Sequence, residues 1–165
     1  MKKKLKHYAK ETLYFIVFIT LFANILSFYK SGDLNKETLK LTQAHLINNS
    51  TYMIDNTKPI LIHFWATWCP TCKLEAQNIE YLSQHYNILT IAVNSGSDQD
   101  IKNYMKEHNL NFRVINDKDS LYAQKFHIAA YPTTFIYSSK KELIFSEVGY
   151  TSTLGLFLRM WWASL

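Results

Sequence analysis

Residues Ile60 to Trp65 are apolar except for His63, and a helical pattern starting at Pro70 and reaching Tyr86 follows almost at once. A continuous apolar run of this length is expected of a central strand buried on both faces of a sheet. Pro70 suits the first turn of a helix, where its missing N–H has no bond to lose. A doubly buried strand needs a helical layer on each side, which points to an α/β architecture.

The rest of the chain agrees. Ile88 to Val93 reads as a second buried strand, ended by Asn94-Ser95-Gly96. Ser97 opens another helix with Asp100 three residues on, close to a capping box, and Ile101, Tyr104, Met105 and His108 recur at helical spacing. Phe112 to Ile115 is a short apolar piece and Asp119 to Phe126 a short helix. Thr133 to Tyr137 and Leu143 to Val148 read as a hairpin around Ser138 to Lys141, and Thr151 or Ser152 caps a last helix reaching Trp162. The expectation is a three-layer α/β domain with a mixed central sheet over residues 58–165. Residues 30–57 are polar and read as a tether merging into an edge strand near Tyr52 to Ile54.

The first thirty residues have a different character. Five lysines lie within the first ten residues, and without them the basic and acidic side chains of the chain balance. A nucleic-acid surface therefore has little support, since a basic patch would belong to the folded domain. Residues 13–29 are almost uncharged, with Asn24 the one strongly polar member, near the lower length for crossing a bilayer. A cleaved signal peptide would end in small residues, but Phe, Leu and Tyr flank the candidates here. A soluble core helix would carry a polar stripe. A retained transmembrane anchor is the favoured reading, with residues 1–12 as a cytoplasmic basic tail. The more basic flank stays in the cytoplasm, so the domain faces outward, into the periplasm or its equivalent, where disulfides persist.

The chain has two cysteines, and they form Cys69-Pro70-Thr71-Cys72. Cys69 falls where a buried strand meets a helix N-terminus, close to free backbone N–H groups and the positive end of the macrodipole. Such a setting lowers a thiol pKa from ~8.5 to roughly 3.5–7. Cys72 lies one turn later, near enough to attack a mixed disulfide at Cys69, which makes Cys69 the nucleophile and Cys72 the resolving thiol. A purely structural disulfide across two residues would close a tiny loop and contribute little. Zinc needs about four ligands, and no two of the six histidines lie closer than 18 residues in sequence. Cu(I) binding by the thiolate pair is the competing chemistry, and it would make the protein a copper-binding or delivery module.

Phe64-Trp65-Ala66-Thr67-Trp68-Cys69-Pro70-Thr71-Cys72 resembles the thioredoxin active-site segment, in the form used by membrane-tethered TlpA-like proteins. These include the thiol:disulfide reductases of cytochrome c maturation and the ScsD-like proteins linked to copper tolerance. Ala130-Tyr131-Pro132-Thr133-Thr134-Phe135 resembles the loop whose proline is cis in that fold, and Val93 to Asp98 is similar to the ScsD-like branch. The resemblance covers about Pro59 to Gly149. It implies a thioredoxin fold, dithiol–disulfide exchange with client proteins, no cofactor or metal, and a membrane redox partner that resets the cysteines.

Alone, Pro132 reads as a turn proline, because about one in twenty X–Pro bonds is cis. The resemblance implies a cis bond, with Tyr131 offering its backbone to a substrate strand. Trp68, Pro70 and Thr71 complete the expected substrate-facing surface, while Trp65 reads as core. Glu75 sits on the core-facing side of the active-site helix with Ala76, Ile79, Leu82 and Tyr86. It is either a proton carrier for Cys72, as an acid at this place in TlpA-like reductases implies, or a charge complementing the helix end. His63 stands where thioredoxins proper place a buried Asp. It either handles protons or is a core histidine satisfied by a backbone group. Trp161 and Trp162 read most simply as helix packing against the sheet, with a membrane-interface role the weaker reading.

Overall fold

The computed structural model describes residues 8, 10–15, 17, 18, 34 and 37–165. The expected anchor over 13–29 and basic tail over 1–12 lie largely outside them. The described residues between 8 and 18 are helical, and among the described residues no helix is long and apolar enough to cross a membrane.

The folded part begins with a small antiparallel pair, β1 (Gln43–His45) and β2 (Thr51–Met53). Then come β3 (Ile60–Trp65), α1 (Pro70–Ser83), β4 (Asn87–Val93), α2 (Asp98–Glu107), β5 (Arg113–Asp117), α3 (Leu121–Lys125), β6 (Thr133–Tyr137), β7 (Leu143–Val148) and α4 (Thr153–Ala163). The main sheet has the order β5-β4-β3-β6-β7. β3 pairs parallel with β4 and antiparallel with β6, so the sheet is mixed and β3 lies at its centre. All six β3 residues are buried, as the apolar run requires.

Two cores form, one on each face of the sheet. Leu61 and Trp65 pack with Ile79 and Leu82 of α1, Ile101 of α2, and Leu156 and Met160 of α4. Ile60, Ile62 and Phe64 pack on the opposite face with Ala123 of α3, Phe126 and Phe135. Each such apolar side chain contributes about 1.5–3 kcal/mol relative to exposure. Leu34, Leu39, Ala44 and Ile54, from the stretch expected as a tether and edge strand, join this second core. Their spacing hid this, because isolated apolar residues in a polar stretch show no period until a sheet face is there to receive them.

Local chemistry sets the ends of the elements. Ser97 and Asp100 form a full capping box at the start of α2. α1 stops at Ser83, three residues before Tyr86, and Tyr86 instead leads into β4. Trp161 and Trp162, expected to pack on the sheet, are 50% and 61% exposed, because Leu156 and Met160 occupy the inner side of α4.

Glu80 of α1 ties the loop before β5: its buried carboxylate accepts the Asn111 N–H at 2.6 Å and the Phe112 N–H at 3.1 Å. Leaving a buried donor unpaired costs about 1–3 kcal/mol. Glu80→Ala is therefore expected to lower stability by ~2–4 kcal/mol in urea denaturation, while Glu80→Gln, which keeps an acceptor, loses less.

Candidate active site

At the site end of the sheet, β3 stops at Trp65 and the chain crosses to α1 in four residues. The Cys69 N–H donates to the Ala66 carbonyl at 3.2 Å, which holds the crossing tight. Cys69 is the N-cap of α1, with Pro70 in the first turn. Its Sγ accepts the Cys72 N–H at 3.1 Å. The sulfur thus takes a hydrogen bond from the unsatisfied end of the helix, where negative charge is stabilised. Cys69 and Cys72 are joined as a disulfide, their Cα atoms 5.3 Å apart. Both are buried, Cys69 at 6% exposure and Cys72 at 2%, so Cys69 is the slightly more exposed residue. Pro70 is exposed and Thr71 half-buried beside them.

The Tyr131–Pro132 peptide is cis, at the entrance to β6. Pro132 is buried, and its carbonyl accepts the Gly149 N–H at 2.8 Å. Tyr131 packs against the core cluster that holds both sulfurs. Trp68, 59% exposed, meets the Tyr131 ring edge-on with centroids 5.6 Å apart. The fold therefore brings Trp68, Cys69, Cys72, Tyr131 and Pro132 into one surface. Sequence reasoning missed what holds it. The Trp68 indole donates to the Asn94 carbonyl at 3.1 Å, and the Thr67 N–H donates to the Ser95 hydroxyl at 3.0 Å. The signal was the Asn94-Ser95-Gly96 break after a strand parallel to β3.

Two buried titratable groups lie on the elements that flank the crossing, Glu75 on α1 and His63 on β3. Glu75 is fully buried. One carboxylate oxygen accepts the Thr151 N–H at 3.2 Å, and the other has no partner. Burial raises its pKa to about 8, against the pull of the Thr151 N–H, with the Glu147 charge adding to the rise. His63 Nδ1 lies 2.9 Å from the Thr134 hydroxyl on the neighbouring strand, so a side chain rather than a backbone group satisfies it. Burial lowers its pKa to about 3, which keeps the ring neutral. The two groups are thus held by different parts of the chain.

A disulfide at the N-cap of the helix that follows the central strand, in a thioredoxin fold, defines a thiol–disulfide oxidoreductase. Sequence comparison gives the family: residues 34–146 match the AhpC/TSA family, and the chain belongs to it. A thioredoxin-like protein of Haemophilus influenzae is 31% identical over 99% of this chain and 96% of its own length. The thiol-disulfide oxidoreductase ResA of Bacillus subtilis is 29% identical over 53% of this chain and 51% of its own. Among solved structures, StoA of Bacillus subtilis superposes with a TM-score of 0.64 at 20% identity, covering 76% of this chain and 97% of that one. This last likeness shows the fold.

The two buried groups set opposite pH limits on stability. Glu75 binds its proton more tightly in the fold than in the unfolded chain, so the stability tied to its neutral form is complete below about pH 4.5 and is lost as pH rises through 8. His63 binds its proton less tightly in the fold, so its contribution is complete above pH 6.5 and is lost as pH falls toward 3. Glu75→Gln is expected to abolish the alkaline decline and to gain on the order of 4 kcal/mol above pH 8, measured by denaturant unfolding across pH. An unchanged alkaline slope would show that Glu75 is ionised at little cost.

Proposed function

We propose that this chain is a membrane-anchored thiol:disulfide oxidoreductase of TlpA-like, ScsD-like type, facing the periplasm or outer side of a bacterial membrane. It exchanges disulfides with client proteins through Cys69-Pro70-Thr71-Cys72. The observation that carries the reading is the Cys69 sulfur, which caps α1 and accepts the Cys72 N–H beside an exposed indole.

In the reductive direction, the Cys69 thiolate attacks a sulfur of the client disulfide. The client S–S bond breaks, a mixed disulfide forms at Cys69, and the departing client thiolate takes a proton. Cys72 then loses its proton and attacks the Cys69 sulfur. The client leaves as a dithiol, and two electrons have passed from the Cys69–Cys72 pair to the client. A membrane redox partner must return two electrons and two protons.

Glu75 suits the proton of Cys72. With a pKa near 8 its carboxyl is close to an ordinary thiol at ~8.5, so transfer in either direction is nearly balanced. His63 stays neutral through the physiological range and is a weak base, which fits a role in holding β6 through Thr134. Tyr131 and Pro132 hold the client strand next to the sulfurs, and Trp68, in ring contact with Tyr131, extends the same surface. The Pro70-Thr71 dipeptide, similar to that of the cytochrome c maturation reductases, supports a reductant, and the five N-terminal lysines before an uncharged run support the anchor.

Cys72→Ser is expected to accumulate mixed disulfides at Cys69 that dithiothreitol releases, and Cys69→Ser to accumulate none. Adducts that persist in Cys69→Ser would sink the assignment of the nucleophile. Acid quench and alkylation of growing cells then reads direction: a mostly reduced pair marks a reductant, and a mostly oxidised pair a disulfide donor.

A further inference from the structure

The last helix has two apolar faces. Leu156 and Met160 fill the core beside α1. Outside, Leu154, Phe157, Leu158, Trp161, Trp162 and Leu165 are 40–84% exposed. Steps of three, four, seven and eight return to one side of a helix, so the first five form a single stripe, and Leu165 follows just past the helix end. No charge interrupts it; Arg159, the one charged residue of α4, is paired with Glu147 of β7 at 2.6 Å. A contiguous apolar surface of this kind marks an interaction site.

Its position decides what covers it. α4 starts beside the site, where the Thr151 N–H reaches Glu75, and runs to the opposite end of the sheet. There Ser164 lines a depression of about 350 Å³ together with Lys58, Pro59, His85 and Arg113. No acidic side chain lines it, and Lys58 and Arg113 are exposed. Trp161, Trp162 and Leu165 thus flank a basic hollow at the pole farthest from the disulfide. The N-terminal chain reaches the same pole: the Leu39 N–H donates to Lys141 in the β6–β7 turn at 2.9 Å. Tyr29, the end of the uncharged run, precedes Leu39 by ten residues, at most ~35 Å of extended chain. A second copy laid symmetrically on this pole would set Lys58 and Arg113 against their own counterparts, whereas an anionic surface complements them.

We propose that this pole docks on an anionic bilayer surface. Trp161, Trp162 and Leu165 enter the boundary between headgroups and acyl chains, where indole rings settle. Lys58 and Arg113 meet lipid phosphates at the rim. The Cys69–Cys72 site is then held away from the membrane, facing clients. The inference rests on the anchored reading above.

The full chain tests it, because its four tryptophans are Trp65, Trp68, Trp161 and Trp162, and none lies in the N-terminal run. It is reconstituted in phosphatidylglycerol–phosphatidylcholine vesicles whose acyl chains are brominated near the headgroup. The expected result is quenched tryptophan emission that is lost in Trp161→Phe/Trp162→Phe, with disulfide exchange unchanged. Lys58→Glu/Arg113→Glu is expected to reduce the quenching while the protein still floats with the vesicles. Flotation with no quenching, or with equal quenching in the double Trp variant, overturns the docking and leaves the anchor standing. Failure to float overturns both. Flotation with unquenched emission and crosslinking through the α4 stripe assigns the face to a second copy instead.

Discussion

Burial of β3 on both faces is the constraint on which the rest depends. A strand enclosed in this way leaves no room for polar backbone beyond its end, so the chain must rise out of the sheet and satisfy its N–H groups at once. It does so by starting α1 five residues later. The Cys69 sulfur thereby meets the helix end as an acceptor, and no separate binding pocket has to be built for a thiolate. The same burial puts Cys72 and Glu75 on the inner side of α1, out of water.

That enclosed layer is not wholly apolar. Register aligns Thr90 of β4, His63 of β3, Thr134 of β6 and Glu147 of β7 in one row across four strands. Thr90 accepts the Trp65 indole N–H, Thr134 holds His63, and Arg159 pairs with Glu147. Each of these polar groups has a partner, as burial demands. Glu75, on α1, has an oxygen without one. Protonation is the cheapest remedy for a carboxyl so placed, which is why its pKa rises rather than falls. The unsatisfied group lies three residues along α1 from Cys72, whose proton the proposed exchange has to move.

The molecule is polarised along its strands. Cys69, Trp68, Tyr131 and Pro132 gather at one end, while the other end has the Lys141 turn that receives the N-terminal chain and the exposed tryptophans of α4. The first end lies within residues 34–146, the part that matches the AhpC/TSA family.

The strands, the helices and the cysteine pair were legible because their signals are local. Apolar period, Pro70 at a helix start, the Ser97–Asp100 box and a CxxC spacing are all set within a dozen residues of chain. The sequence by itself determined that β3 is buried, that α1 begins beside Cys69, and that the two cysteines can close on each other. Only the tertiary structure decided that Thr134 holds His63, that Thr151 reaches Glu75, and that Asn94 and Ser95 pin Trp68 and Thr67. It also turned Trp161 and Trp162 outward. These pairings join residues 26 to 76 positions apart, and strand order and register bring them together. Local periodicity has no means of encoding either.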